Sequence, residues 1–522
     1  MALKLYPLGI QTFSEIRNRN MLYVDKTAYV YSLAHTNGKF FFLSRPRRFG
    51  KSLLVSTLKS YFEADRELFE GLAIDKLEHE WAAYPVVQIS MAGGKGMGKR
   101  QLLEYLDYLL NAEENKWSIA NHIIKGVNNR LANLIRTIYD KTHKQVVLLI
   151  DEYDAPILDA MHNVALLEEQ RNVMRNFYSP LKDCEPYLRF VFITGITKFS
   201  QVSIFSELNN VVNISMSKEY AGICGITSNE LKEQMADSIA LLAQEQQMTY
   251  MQTYDKLCEY YDGYHFSSQS PDMFNPYSLL CCFAEKSFGA YWFSSGTPTF
   301  LINMIRKFKV SAAEIGRMYA KASAFDAPTE SMKTLTPLLY QSGYITIKDY
   351  DPETHVYMLD IPNKEIKVGL FESLLPNYVE AKYAEEGDVV VARMSAMINK
   401  DDMNGALLLL QQFFSTVPYC NNTHYEGHYQ QVLFIIFTLL TNYVVNVEVH
   451  TPKGRVDVVI QTRSKLYVIE IKLNKDAKAA MNQIEINEYD KSFALCHKEV
   501  VRVGINFNSK TGNIDDWIVE TH

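Results

Sequence analysis

The sequence predicts an α/β protein in which two α/β domains flank a mainly helical region. Apolar runs of strand length alternate with helical stretches in the first part of the chain, and helical periodicity dominates the next part. The last part is predicted to form a helix followed by closely spaced strands. A chain of 522 residues is long enough for two or three domains. The predicted domains span residues 1–215, 216–385 and 386–522.

The N-terminal part contains four runs whose composition is typical of strands buried on both faces of a parallel sheet. The segments between them are long enough for crossover helices, so a parallel sheet with helices on both faces is expected. The runs are KFFFLS (39–44), YPVVQIS (84–90), QVVLLID (145–151) and LRFVFITG (188–195).

The middle region, residues 216–385, is rich in helical periodicity and in aromatic side chains, with glycine and proline marking its turns. We interpret these aromatic residues as core and interface packing rather than as a stacking platform. Its characteristic segments are YDGYHFS (261–267), FNPYSLL (274–280) and YWFSSGTPTFL (291–301).

The C-terminal part begins with a helical pattern at 388–440 and also contains a helical stretch near 474–492. Its remaining runs have strand character, and an α/β sandwich with a central hairpin is the simplest architecture that holds them. These runs are YVVNVEVH (443–450), RVDVVIQ (455–461), KLYVIEIKL (465–473) and VVRVGINF (500–507).

Composition narrows the class of protein. The net charge of -7 gives no global electrostatic reason to bind nucleic acid, so any such contact requires a local basic patch. Seven cysteines without a C-x-x-C pair argue against a disulfide framework and against a cysteine zinc site. The longest apolar run, 432–440, is far shorter than the roughly 20 residues of a membrane span, and the N-terminus lacks a secretory signal. A cytoplasmic protein without a membrane partner is expected.

A phosphate-binding loop follows the first predicted strand. Nucleotide phosphates need backbone N–H groups at a helix N-terminus, a lysine for the β and γ charges, and a hydroxyl for Mg²⁺. Gly50, Lys51 and Ser52 supply these groups between a strand and a helix. Arg45 occupies the position where the usual motif has its first glycine. The predicted nucleotide-binding loop consists of Arg45, Pro46, Arg47, Arg48, Phe49, Gly50, Lys51 and Ser52.

A second glycine-rich segment matches the phosphate-loop pattern more literally. It runs from Gly93 to Lys99 and also lies between a strand and a helix. The next residue is Arg100, which cannot ligate Mg²⁺, so we interpret the segment as a glycine turn. It remains the alternative phosphate loop.

The third predicted strand ends in Asp151 and Glu152, which is the arrangement of a Walker-B element. Asp151 is expected to hold the Mg²⁺ shell, and Glu152 to polarise the attacking water. Thr194, at the end of the fourth strand, is a candidate for sensing the γ-phosphate, with strand capping as the alternative. Together with Gly50, Lys51 and Ser52, these residues predict binding and hydrolysis of ATP or GTP.

Ionisable residues interrupt two apolar strands of the C-terminal part. Glu470 and Lys472 share one face of their strand because side chains alternate with a period of two, and a hairpin turn would bring Asp457 alongside them. Inward-facing charges are costly unless they are paired. A divalent cation held by the two carboxylates, with the lysine beside the attacking water, removes that cost and forms a hydrolytic site.

The alternative is an Asp–Lys or Glu–Lys cross-strand pair on a solvated face of the sheet. Two flanking residues favour the metal site. Glu426 opens the preceding helix and is a further candidate ligand, and Gln483 lies on the helix after Lys472.

The pattern Glu426, Asp457, Glu470-x-Lys472 and Gln483 resembles the PD-(D/E)xK nuclease superfamily. That resemblance implies a restriction-endonuclease-like α/β fold in which the acidic residues bind Mg²⁺, with Mn²⁺ as an alternative ion, and the lysine orients or activates water. The first half resembles the AAA-ATPase-like family, which is often joined to such a nuclease-like domain in bacteria and whose arginine-rich loop accommodates Arg45. The segments that carry this resemblance are PLGIQTFSEIRNRNMLYVDKT (7–27), FLSRPRRFGKSLL (42–54), LLIDEYDAPI (148–157), ITGITKFSQVSIFSELNN (193–210), YDGYHFS and YWFSSGTPTFL.

Two functions follow from these expectations. The first is an ATP-binding and ATP-hydrolysing P-loop protein with Mg²⁺-dependent nuclease activity on DNA, in which ATP gates or drives cleavage. The second is an ATP-switched regulatory or assembly protein whose nuclease-like domain only binds nucleic acid or a partner. The acidic net charge favours the second, and the retained Asp457, Glu470 and Lys472 favour the first. Either function is compatible with a homo-oligomer.

Overall fold

The computed structural model divides into two compact units. Unit 1 consists of Met1–Phe308 and Arg317–Asn363, and unit 2 of Lys309–Gly316 and Lys364–His522. The structure describes residues 4–119, 124–158, 160–161, 163–198, 210–294, 299–308, 310, 315–316, 318–329, 332–375, 381–416, 428–440, 446–450, 456–462, 464–486, 498–508 and 510–521.

Unit 1 contains residues 216–308 and 317–363 of the predicted middle region together with the N-terminal part. Hydrogen bonds join these segments. The side-chain oxygen of Gln341 accepts from the backbone N–H of Lys198 at 2.6 Å, and the Lys198 ammonium pairs with Asp326 at 2.7 Å. Thr346 Oγ1 accepts from the backbone N–H of His265 at 2.8 Å.

Unit 1 is built on a five-stranded parallel sheet with the order β2-β3-β4-β1-β5. The first four strands reproduce the four apolar runs of the sequence, and β1 and β3 are buried throughout. The strands are β1 (Phe40–Ser44), β2 (Val86–Ser90), β3 (Val146–Asp151), β4 (Leu188–Gly195) and β5 (Val212–Asn213).

Helices cover both faces of this sheet, which confirms the predicted α/β architecture. The helices that precede the middle region are α1 (Phe13–Asn18), α2 (Thr27–Ala34), α3 (Lys51–Phe62), α4 (Lys99–Lys116), α5 (Val127–Thr142), α6 (Ala155–Leu158) and α7 (Val164–Tyr178). Apolar side chains of α4, α5 and α7 pack with Val87, Leu148 and Val191 in one core. Helix α3 contacts β2, β3 and β4.

The rest of unit 1 is mainly helical, as predicted, but it also contains short strands. Its helices are α8 (Ser228–Gln234), α9 (Ala236–Glu245), α10 (Tyr250–Tyr261), α11 (Pro276–Glu285), α12 (Tyr291–Ser294), α13 (Thr299–Phe308), α14 (Ala322–Phe325) and α15 (Thr336–Ser342). Strands β6 (Ile226–Thr227) and β7 (Met273–Phe274) form one pair, and β8 (Met318–Ala320), β9 (Thr346–Asp351) and β10 (Val356–Asp360) form a three-stranded antiparallel sheet. Strands this short carry too few alternating residues to stand out in the sequence.

Unit 2 combines helices with a five-stranded mixed sheet. Its helices are α16 (Lys364–Leu374), α17 (Ala381–Ile398), α18 (Met403–Thr416), α19 (His428–Leu439) and α20 (Ala477–Ile486). The strands, in sheet order, are β11 (Asn446–His450), β12 (Val456–Gln461), β13 (Lys465–Leu473), β14 (Glu499–Asn508) and β15 (Asn513–Thr521). Strands β13 and β14 are parallel and the other neighbours are antiparallel.

The edge strand β15 was not predicted. The exposed pair Asp515 and Asp516 interrupts its apolar alternation, so its sequence resembles a loop. In the described part of the chain, none of the helices is long and apolar enough to cross a membrane.

Candidate functional site

The carboxyl ends of three parallel strands converge in unit 1. Leu43 of β1 lies beside Thr194 of β4, and Ile150 of β3 lies beside Ile193. The loop after β1, the acidic end of β3 and the end of β4 therefore meet at one edge of the sheet. Ligands of open parallel α/β sheets bind at this edge.

The phosphate-binding loop turns from β1 into α3 through two residues in the left-handed region. Arg48 has a φ of 64° and Gly50 a φ of 92°. A Cβ atom at Gly50 would meet nothing within 4 Å, so the backbone conformation and not a lack of space favours glycine there. Lys51 is the first residue of α3, so the N-terminus of this helix opens next to the loop.

Lys51 is a buried cation held by neutral groups. Its ammonium donates to the carbonyl oxygens of Arg45 and Pro46, each at 2.9 Å, and the residue is 7% exposed. Burial lowers the pKa of Lys51, and the charges of nearby acidic residues, led by Asp151 and Asp154, partly offset this effect. The oxygens of a bound phosphate carry full negative charge, and they can replace these two carbonyls as acceptors for the Lys51 ammonium.

Arg45 contributes its carbonyl to the loop, whereas its guanidinium lies in the protein interior. The Nη1 atom donates to the carbonyls of Ser44 and Ser215, at 2.9 and 2.7 Å, and the Cζ atom lies 4.1 Å from the ring centre of Phe266. Burial lowers the pKa of Arg45 to about 10. Sequence reasoning placed this residue among the nucleotide contacts, but its guanidinium anchors the base of the loop.

A cavity of about 410 Å³ lies above the loop. Arg47, Arg48, Gly50, Lys51 and Ser52 line it, whereas Arg45, Pro46 and Phe49 are not among its lining residues. Phe49 is fully buried and packs edge-on against two aromatic rings. Segments outside the predicted site also line the cavity, among them the N-terminal stretch Pro7–Gln11, and Pro276 with Tyr277 at the start of α11.

Asp151 and Glu152 end β3 in different environments. Asp151 is 6% exposed, and burial raises its pKa although the Ser52 hydroxyl hydrogen-bonds to its carboxylate. Glu152 lines the cavity and has a φ of 50°, which is unusual for a residue with a side chain. Its backbone N–H donates to Asp151 Oδ1 at 3.0 Å. The end of β3 therefore presents Asp151 to Ser52 and Glu152 to the cavity.

Asp154 is a buried carboxylate that sequence reasoning missed. Its Oδ2 atom accepts from the backbone N–H groups of Ile196 and Thr197, at 3.0 and 2.6 Å, and from the Thr197 hydroxyl at 2.7 Å. Burial raises the pKa of Asp154. The signal was present in the sequence as a third acidic residue in DEYDAP. Asp154 fixes the loop after β4 against the loop after β3.

Thr194 lies at the end of β4, as predicted, and is fully buried. Its carbonyl accepts from the backbone N–H of Tyr153 at 3.1 Å. Its hydroxyl has no hydrogen-bond partner among the residues that the structure describes. Thr194 is not among the residues that line the cavity of this site, and the proposed sensing role stays a prediction.

The second glycine-rich segment connects β2 to α4 and has two lysines in different positions. Lys99 opens α4 and is exposed, and it is not among the lining residues of the cavity. Lys95 does line the cavity, and its ammonium lies 3.9 Å from Glu152 Oε2. The glycines of this segment made it the alternative phosphate loop in the sequence analysis, but Lys95 itself was not predicted as a site residue.

In unit 2, β13 places Glu470 and Lys472 together as the two-residue alternation predicts. The Lys472 ammonium donates to Glu470 Oε1 at 2.6 Å and also to the side-chain oxygen of Gln483 on α20. Glu470 is 1% exposed and Lys472 is 6% exposed. The two opposite charges are therefore paired inside the unit.

Asp457 lies directly opposite Glu470 in the antiparallel register of β12 and β13, where the predicted hairpin puts it. The Asp457 side chain lies outside the described residues, and so does Glu426 altogether. Among the side chains that are described, no group of three or more His, Cys, Asp or Glu residues could hold a metal ion. Two opposed carboxylate residues do provide the oxygen donors that Mg²⁺ and Mn²⁺ prefer.

Comparison with known proteins identifies both parts of the chain. The family described as predicted AAA-ATPase matches residues 7–205, and the PD-(D/E)XK nuclease superfamily matches residues 424–517. A curated relative from Azotobacter chroococcum mcd 1, described as an uncharacterized protein in the vnfD 5′ region, is 32% identical over 538 residues and aligns over 100% of both chains.

Solved structures of low similarity were also found. The ORC2 protein of Aeropyrum pernix, in ADPNP and ADP complexes, is 12% identical, with 65% of this chain and 88% of that chain covered and a TM-score of 0.25. The Cdc6p protein of Pyrobaculum aerophilum is 11% identical, with 65% and 89% covered and a TM-score of 0.22. The family matches, together with the sheet order and the loop of unit 1, lead to one conclusion. The chain belongs to the AAA-ATPase-like family and carries a C-terminal domain of the PD-(D/E)XK nuclease superfamily.

Proposed function

We propose that the protein binds and hydrolyses ATP in unit 1 and cleaves DNA with Mg²⁺ in unit 2, and that the nucleotide controls cleavage. One observation supports the first half above all others. Lys51, Ser52 and Glu152 line the same cavity of about 410 Å³, and their proposed roles are to bind phosphate, to bind Mg²⁺ and to act as the base.

In unit 1, each group has a separate task. The Lys51 ammonium leaves the carbonyls of Arg45 and Pro46 for the β- and γ-phosphate oxygens, which carry full charge. Ser52 and Asp151 would hold Mg²⁺ between them. Glu152 polarises the water that attacks the γ-phosphorus, and the β–γ anhydride bond breaks as the new P–O bond forms.

In unit 2, Asp457 and Glu470 would hold the divalent cation, with Glu426 as a further ligand. When bound, this ion supplies Lewis-acid stabilisation of the charge that develops on the scissile phosphate. Lys472 keeps its ammonium beside Glu470, where it can orient the attacking water, and Gln483 holds that ammonium in place.

A regulatory or assembly protein is the second candidate. The pair between Glu470 and Lys472 favours it, because each group already compensates the charge of the other without a metal ion. The net charge of -7 points in the same direction, since it opposes binding to a polyanion.

A cleavage assay decides between the two functions. Purified full-length protein is incubated with plasmid and with linear DNA, with and without Mg²⁺ and ATP. We expect cleavage that requires Mg²⁺, that depends on ATP, and that Asp457→Ala abolishes. Glu152→Gln separates gating by bound ATP from driving by hydrolysis, because it should keep binding and lose turnover. ATP turnover without cleavage of either DNA would favour the regulatory protein.

Thermal melts test the metal site independently of cleavage. A shared metal ion should raise the melting temperature of the wild type in Mn²⁺ relative to EDTA, and Asp457→Ala should remove that rise. If Asp457 instead belongs to a buried ion pair, Asp457→Ala should destabilise the protein by about 3–5 kcal/mol even in EDTA. The latter result, with no effect of Mn²⁺ on either protein, would contradict the nuclease proposal.

A further inference from the structure

The glycine-rich loop between β2 and α4, residues 91–98, contacts the carboxyl end of β3 and neighbouring helices at several points. Its position is set by register, since Ser90 at the end of β2 lies beside Asp151. The backbone N–H of Met91 donates to the Asp151 carbonyl at 2.9 Å. Gln170 of α7 donates to the carbonyl of Met97 at the far end of the loop.

The glycines let the loop approach its neighbours closely. A Cβ atom on buried Gly94 would lie 2.9 Å from Cγ of Pro156 in α6, which follows β3. The Gly93 N–H donates to the Tyr105 hydroxyl at 3.2 Å, and that hydroxyl donates to the Ser90 carbonyl at 3.0 Å. The packing therefore holds this loop directly against the Walker-B element, and a larger residue at position 94 would push the two apart.

As a result of this packing, Lys95 lies at the cavity. Its ammonium lies 3.9 Å from Glu152 Oε2, and both side chains line the same cavity as Lys51 and Ser52. The side chains of Lys95 and Glu152 are 51% and 34% exposed, so their ion pair is weak and easily exchanged. The long, flexible stem of a lysine allows such an exchange without any movement of the backbone.

We propose that Lys95 binds the γ-phosphate of ATP and gives up its ion pair with Glu152 when it does so. This inference rests on the proposed ATP site. The carboxylate that polarises the attacking water must lie beside the γ-phosphate, so an ammonium beside that carboxylate lies at the γ end of the nucleotide. A triphosphate offers Lys95 more negative charge than one carboxylate does. Bound ATP thereby frees Glu152 for its task, and ADP, which lacks the γ-phosphate, does not.

Binding measurements on the full-length protein with Mg²⁺ test this role. The probes are ADP and an ATP analogue with a β,γ-imido bridge, and calorimetry gives both dissociation constants. Lys95→Ala should weaken binding of the analogue by about 10-fold, the loss of one charge-assisted contact, and change ADP binding by less than about twofold. Lys95→Arg should restore most of the affinity because it restores the charge. Lys99→Ala, an exposed lysine at the end of the same loop, should behave as the wild type.

A second variant tests the exchange itself. Glu152→Gln removes the competing carboxylate, so it should bind the analogue about threefold more tightly, and this gain should vanish in the double variant with Lys95→Ala. Equal weakening of ADP and analogue by Lys95→Ala, or no weakening of either, would overturn the inference. Failure of the wild type to bind either nucleotide would instead contradict the ATP site.

Discussion

Both units bury a lysine beside candidate catalytic carboxylates, but they compensate the charge in different ways. Lys51 is 7% exposed and donates to two neutral carbonyls, whereas Lys472 is 6% exposed and donates to the Glu470 carboxylate. A buried cation held by carbonyl dipoles keeps most of its attraction for an incoming anion. A buried cation already paired with a carboxylate has far less to offer a ligand.

This difference between the two lysines affects how unit 1 would bind a nucleotide and how unit 2 would bind a metal ion. In unit 1, the Lys51 ammonium donates to neutral carbonyls, and Asp151 and Asp154 offset its burial only in part, so a bound phosphate adds negative charge beside it. In unit 2, Glu470 is already paired with Lys472, so a metal ion must compete with Lys472 for Glu470. We therefore expect strong nucleotide binding by unit 1, and metal binding by unit 2 that depends on Asp457 as the additional carboxylate.

The largest expected effect comes from removing Lys472. Lys472→Met takes away the cation beside a buried carboxylate, so the free energy of unfolding of unit 2 should fall by about 3–5 kcal/mol. Lys51→Met should cost unit 1 only about 1–2 kcal/mol, because the relief of a desolvated charge offsets two lost hydrogen bonds. Hydrogen exchange measured on peptides from β13 and from β1 separates the two values. Similar losses in both units would refute the comparison.

The next effect concerns affinity. Lys51→Ala should raise the dissociation constant for ATP by about 100-fold or more, because it removes the cation placed on the β- and γ-phosphates. The matched control is Lys99→Ala, which removes an exposed lysine from the alternative phosphate loop. Titration of both variants with a fluorescent ATP analogue measures the change. Loss of binding in the control, with binding retained in Lys51→Ala, would reverse the assignment of the two loops.

An effect of similar or smaller size separates binding from chemistry in unit 1. Glu152→Gln retains the size of the side chain but cannot polarise water as a carboxylate does, so turnover of ATP should fall by roughly 10²-fold. ATP should still bind, because Lys51 and the helix N-terminus remain. Glu168→Gln, an exposed carboxylate on α7, serves as the control. Unchanged phosphate release by Glu152→Gln would remove this residue from the mechanism and direct attention to Asp151.

The smallest effect comes from a buried carboxyl group, whose pKa burial shifts in the opposite direction to that of Lys51. Asp262 is 7% exposed, and burial raises its pKa to about 6. Because the folded-state pKa exceeds the unfolded value, the group contributes stability below about pH 4 that is lost as the pH rises through about 6. Asp262→Asn should therefore stabilise unit 1 by about 1–2 kcal/mol at pH 8. Melting temperatures at pH 4 and pH 8 measure the difference.

The control for this variant is the pH dependence itself. The stabilisation by Asp262→Asn should shrink towards pH 4, where the wild-type carboxyl group is protonated in the folded state and about half protonated in the unfolded state. A gain of the same size at both pH values would mean that the effect arises from packing or hydrogen bonding and not from a buried charge.

Much of the fold could be predicted because long buried strands have a strong apolar signal. The run LRFVFITG became β4 without a change in its ends, and Lys51 and Ser52 lie at the start of α3 and line the cavity. Side-chain contacts between distant segments of the chain could not be predicted from the sequence. Nothing in a sequence shows that the Arg45 guanidinium turns inwards to Ser215, or that Lys95 reaches Glu152, since both depend on how distant segments pack.

The hydrogen bond between the Lys198 N–H and Gln341 has a consequence for the order in which the chain can fold. The loop after β4 is held from one side by Asp154 and from the other by a residue 143 positions further along the chain. We therefore expect the loop after β4 to reach its final position only after α15 has been synthesised. A fragment that ends at residue 215 contains every motif of the ATP site but lacks the glutamine that receives the Lys198 N–H. We expect such a fragment to fold incompletely, although its sequence looks like a whole domain.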